Sequence, residues 1–166
     1  MFALKPISRE SLEGALAKAE RYRLLNEPSE AVSICRDILA IAPANREARI
    51  SLILALTDEF AQDDQAFSSA VAEAAGLESA YDRAYYRGIA WERRAKALHE
   101  AGRLGSSWHV YDWIVKALGL FEEAERLRPA GNDDPILRWN ACVRFLERHK
   151  TVGPRAEEAK EPILSE

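Results

Sequence analysis

The sequence predicts an all-α protein, and three observations lead there. Apolar residues recur at the helical period in seven successive segments. Taken together, most of the few prolines and glycines sit where those segments should end. Alanine, leucine, glutamate and arginine, all good helix formers, dominate the chain. No run alternates apolar and polar residues convincingly enough to be a strand.

The first helix is expected from about Ser8 to Leu25, with Leu12, Ala15, Leu16, Ala19 and Tyr22 as its apolar stripe. Asn26 and Glu27 make a turn, and Pro28 opens the second helix, where its missing N–H costs nothing. That helix carries Ala31, Ile34, Cys35, Ile38 and Leu39 and stops at Pro43. A third runs from about Asn45 to Ala61. Its centre, Leu52 to Leu56, is apolar on nearly every side, as in a helix buried between neighbours. The fourth, from about Asp64 to Leu77, is rich in alanine and serine and ends near Gly76.

The fifth helix is long, from about Ser79 to Ala101, and a turn at Arg103-Leu104-Gly105 follows. Ser106 or Ser107 is expected to cap the sixth, which continues to Arg128 and is stopped by Pro129. Asp133 or Asp134 is expected to cap a seventh, from Pro135 to about His149. One helical domain over residues 1–149 is therefore predicted, with residues 150–166, charged and poor in apolar residues, as a disordered tail.

Composition narrows the function. The net charge is −4, from 23 basic and 27 acidic residues mixed along the chain. That is not the clustered basic stripe of a phosphate-backbone binder, so no nucleic-acid partner is expected. Residues 1–7 lack the apolar core of a signal peptide, and the longest apolar stretch is too short to span a bilayer. A cytoplasmic protein without membrane contact is expected. Cys35 and Cys142 match no metal or redox spacing and fall on apolar helix faces, as structural thiols do.

Internal repetition adds an architecture. Ala31, Cys35, Ile38 and Pro43 recur at the same offsets as Ala117, Phe121, Ala124 and Pro129. A small residue lets paired helices approach, a larger one fills the groove between pairs, and proline ends the helix. In this the chain resembles the tetratricopeptide-repeat family. Ala15, Ala19 and Tyr22 fall at the family's first-helix positions, the first two as substitutions, and Gly88 and Trp91 do so in a third repeat. The middle repeat, roughly residues 46–79, matches loosely at Ala66 and lacks the closing proline, and the third is elongated. The resemblance spans about residues 8–130 and implies a short α-solenoid of about three repeats, with the seventh helix as a C-terminal cap.

The resemblance also implies a concave groove lined by the first helix of each pair. Position by position, it would present Leu16, Glu20 and Arg23, then Ile50, Leu54 and Thr57, then Tyr85, Tyr86, Ile89 and Arg93. The lysine-and-asparagine set that grips a C-terminal carboxylate in chaperone-binding members is absent. An apolar peptide segment or partner helix suits such a lining better.

No catalytic constellation is apparent. His99, His109 and His149 lie in three different segments, and no phosphate loop or nucleophile elbow is present. No cofactor and no metal are expected. Glu92 shares a helix face with Tyr81, Tyr85, Gly88 and Ala95, so its carboxylate needs an interior partner. Arg138 is the expected one, in a structural ion pair. Tyr81, Tyr85, Tyr86, Trp91, Trp108, Tyr111 and Trp113 crowd the long helix pair, where core packing is the first reading. The expectation is therefore a non-enzymatic protein-interaction adaptor of bacterial type. A secretion-type chaperone holding a client segment and a structural subunit that self-associates through the sixth helix are its rivals.

Overall fold

The computed structural model describes residues 2–155; from residue 156 onwards the expected tail lies outside the described residues. A 3-10 turn (Arg9–Ser11) precedes seven α-helices: α1 (Leu12–Leu24), α2 (Pro28–Ile41), α3 (Arg46–Asp58), α4 (Asp64–Ala75), α5 (Ala80–Glu100), α6 (Ser107–Leu127) and α7 (Asp134–Arg148). No strand occurs among the described residues.

Three helix starts are set by side-chain caps that relieve unpaired N–H groups. Asn45 Oδ1 accepts from Ala48 N at 2.9 Å, Asp63 Oδ1 from Gln65 N at 2.8 Å, and Ser79 Oγ from Asp82 N at 3.3 Å. The last two helices depart from expectation. Ser106 precedes α6 but its hydroxyl donates backwards to Arg103 O at 2.6 Å, because its backbone is already helical rather than extended. Asp133 precedes α7 without capping it, since Arg128 takes its carboxylate; Asn132 Oδ1 accepts from Asp134 N at 3.0 Å instead. Gly102 and Gly105 frame the α5–α6 turn at φ +62° and +75°, the left-handed region that favours glycine.

Successive helices pack against one another, and α3 also touches both α1 and α5, so pairs stack side by side in an α-solenoid-like arrangement. The two 21-residue helices, α5 and α6, share the most extensive interface. Small residues allow it: Gly88, Ala95 and Ala117 are buried there. α7 packs on α6 and reaches α5.

The core has two parts. The first, between α1 and α5, is alanine-rich and centres on Leu52, Ile53 and Leu56, with Cys35 and Phe60. The second gathers Ile89, Val110, Ile114, Phe121 and Cys142, and Tyr86 packs against both. Val152, 6% exposed, belongs to the second. The packed structure thus continues beyond His149, where the sequence places the domain's end. Val152 N donates to His149 O at 2.9 Å, and that turn folds the chain back over the core.

Candidate functional site

An open trough of about 500 Å³ lies between α1, α3 and α5. Its apolar lining is Leu24, Ile50, Leu54 and Tyr86, and its charged lining is Glu20, Arg23, Arg46 and Glu47. Leu24 is 88% exposed at the C-terminal end of α1, apolar surface that the fold leaves in water. Burial pushes the Tyr86 phenol up to about 12, against the lowering by nearby Arg46, so it stays a neutral hydrogen-bonding group.

The trough brings together Glu20, Arg23, Ile50, Leu54 and Tyr86 of the ten residues that the family resemblance maps to a groove. The other five sit elsewhere. Ile89 is 2% exposed and belongs to the second core, because the elongated α5–α6 pair wraps it with Ile114 and Phe121. Thr57 is buried and donates to Leu54 O at 2.7 Å. Tyr85 stacks on Tyr81, ring centroids 5.7 Å apart, and turns towards Arg138 rather than the trough. Leu16 is half-buried on α1 outside the trough lining.

Arg93 is held in an ion-pair ladder that ties the three first helices. Asp58 of α3 accepts from Arg23 Nε of α1 at 2.9 Å and from Arg93 Nη1 of α5 at 2.5 Å. Thr57 Oγ1 receives the same Arg93 nitrogen at 2.6 Å. Burial lowers the Arg93 pKa, with Asp58 opposing the shift. A second tie, Arg46 to Asp82, is bidentate at 2.6 and 2.8 Å, with the Asp82 side chain almost fully buried. The sequence offered no signal for Asp58 or Asp82 as partners, because the pairings join helices whose offset is set by packing.

Glu92 is fully buried. Its Oε1 receives Lys96 Nζ at 2.5 Å, and Arg138 Nη1 of α7 lies 3.4 Å from its Oε2. Burial works against the charged Arg138, yet Glu92 and the Tyr85 hydroxyl outweigh it and leave its pKa raised. The carboxylate therefore pins the last helix to the long pair, as a buried charge with matched partners can.

The aromatic cluster is largely consumed in packing. Phe67, Trp91 and Trp113 meet edge to face, with centroids 4.8 and 6.1 Å apart, and Lys116 Nζ lies 4.0 Å over the Trp91 ring. Both cysteines are buried, and desolvation pushes Cys35 up to about 11 and Cys142 up to about 12. Among the described residues no group of three or more His, Cys, Asp or Glu side chains could hold a metal ion. No helix there is long and apolar enough to cross a membrane. In comparisons with known proteins, no family model matches the chain, and no curated protein or solved structure matches it significantly.

Proposed function

We propose that the chain is a tetratricopeptide-repeat-like adaptor that holds an apolar peptide segment or partner helix in the trough between α1, α3 and α5. The observation that carries this reading is the trough's lining. Leu24, Ile50, Leu54 and Tyr86 give it apolar surface, and Glu20, Arg23, Arg46 and Glu47 add both signs of charge. Apolar lining accompanied by charges of both signs suits a peptide or helix seat. The arginines at its border are already tied to Asp58 and Asp82, so the trough is held in shape without a ligand.

The test is affinity capture from lysate of the native organism with wild type and a Leu24→Glu/Ile50→Glu double variant. Arg93 is a poor target, because its guanidinium is engaged with Asp58 and Thr57. A protein retained by wild type, lost by a variant of unchanged circular dichroism, and then bound directly when purified supports the adaptor. Equal retention by both removes it.

Self-association is the second reading, favoured by Val115 and Leu127, each 44% exposed on α6. Light scattering over a concentration series separates the two, since a strict monomer excludes the structural subunit.

A further inference from the structure

A second concavity, of about 680 Å³, lies between the C-terminal halves of α5 and α7, apart from the trough. Its ionisable lining is Lys96, His99 and Glu100 from α5 with Arg144 and Arg148 from α7 and His149 at the end of that helix. Glu100 is the one acid among them, in a chain whose net charge is negative. The buried Glu92 is shared between Lys96 and Arg138 and cannot balance both. Arg144 and Arg148 make no ion pair with the described residues.

Between these cations the two imidazoles meet, His99 Nε2 to His149 Nδ1 at 3.1 Å. At that separation one nitrogen donates and the other accepts, so at least one ring is neutral in this arrangement. Phe145 lies against both rings, with centroids 5.3 and 4.6 Å away, and forms an apolar floor beside the cations.

We propose that this cleft binds an acidic peptide segment, carboxylates flanking an apolar residue, and binds it more tightly as the pH falls. Charge complementarity selects the occupant. Arg144 and Arg148 stand one helical turn apart on α7 and face Lys96 across the cleft, a spread of cations around Phe145. That spacing suits carboxylates distributed along a chain rather than one compact anion. The pH dependence follows from the histidine pair. Without a ligand, the groups facing it are Lys96 and Glu100 from α5 and Arg144 and Arg148 from α7, an excess of positive charge that disfavours an imidazolium at His149. Desolvation, His99 and Arg148 together lower the His149 pKa. Carboxylates seated in the cleft reverse that balance, so binding takes up protons and affinity rises with acidity.

The test is fluorescence anisotropy with a labelled glutamate-rich peptide carrying a single central leucine, at low salt, on the full chain. Binding is expected to be about fivefold tighter near pH 6 than near pH 8, a range in which glutamates stay ionised. Arg144→Gln/Arg148→Gln should weaken it about tenfold or more. His99→Gln/His149→Gln should remove the pH dependence, while Leu24→Glu in the trough should change nothing. All these side chains are at least partly exposed, and circular dichroism verifies that each variant keeps its fold. No binding by wild type, or binding indifferent to the arginine pair or to pH, overturns the proposal. So does equal binding of a thymidine oligonucleotide, which would make the cleft an unselective anion patch.

Discussion

Gly88 of α5 lies beneath the ring of Phe121 on α6, so close that a Cβ there would stand 2.6 Å from Cε1 and 2.8 Å from Cδ1. Phe121 is 1% exposed and packed within the second core, so displacing its ring disturbs the neighbours it packs on. Alanine at position 88 would gain about 1 kcal/mol of helix propensity. Overpacking a core costs about 1–3 kcal/mol, and against an immobilised ring that cost wins. Gly88→Ala should therefore lower stability by about 1 kcal/mol in urea unfolding, the balance of those two terms. Adding Phe121→Leu should make the alanine neutral or favourable, which separates a steric clash from a backbone effect.

Glu92 gives the larger loss. Removing one partner of a buried ion pair costs about 3–5 kcal/mol, because the other charge is left in the interior. Here Lys96 and Arg138 are about one-third exposed, so both retain access to water. Glu92→Ala should accordingly fall at the lower end, about 3 kcal/mol. Because Arg138 belongs to α7, the variant should also be cut by protease within residues 129–149 before the remainder of the chain opens. Uniform cleavage would mean that the carboxylate stabilises the fold without specifically holding the last helix.

Glu92 was legible in the sequence for a definite reason. A carboxylate among Tyr81, Tyr85, Gly88 and Ala95 on one helix face contradicts its surroundings unless a cation meets it. Pro28, Pro43, Asn45 and Pro129 were equally readable as helix boundaries, since their effects are local. Asp58 was not. Its two arginines come from α1 and α5, and their convergence depends on how three helices stack, which no spacing within one helix records. Ile89 lies in the core rather than the groove that the family resemblance implies, for the same reason. Its register relative to Tyr86 and Arg93 suits a repeat of ordinary length, but the longer α5 and α6 enclose it between them. Val152 follows two polar residues and a helix end, and the backbone turn that returns it to the core leaves no apolar run to read.

The buried thiols and Tyr86 make stability sensitive to alkali. Burial raises Cys35 to about 11, Cys142 to about 12 and Tyr86 to about 12. Unfolded cysteine ionises near about 8.5 and tyrosine near about 10. Above those values the unfolded chain releases protons that the folded chain keeps, so stability falls as pH rises. The stabilisation from these groups is fully present at neutral pH and declines from about pH 9 upward through the folded values. Urea midpoints taken across that range should drop, and Cys35→Ala/Cys142→Ala should flatten the first part of the decline. At neutral pH neither thiol should react with iodoacetamide until the chain is unfolded.

Asp58 is the joint on which α1, α3 and α5 depend. Its oxygens divide between Arg23 and Arg93, and Arg93 also donates to Thr57 Oγ1 at 2.6 Å. The side chains are only 21–28% exposed, which shields the network from water more than an ordinary surface pair. Charge-assisted hydrogen bonds of this kind contribute more than exposed ion pairs, so Asp58→Ala should cost about 1–2 kcal/mol. Arg93 would keep Thr57, whereas Arg23 would swing into solvent beside the trough. The difference from wild type should shrink between low and high salt, because the lost interaction is partly screened there. A cost independent of salt would assign the effect to the shape of the carboxylate rather than its charge, and Asp58→Asn, which keeps the shape, would then be neutral.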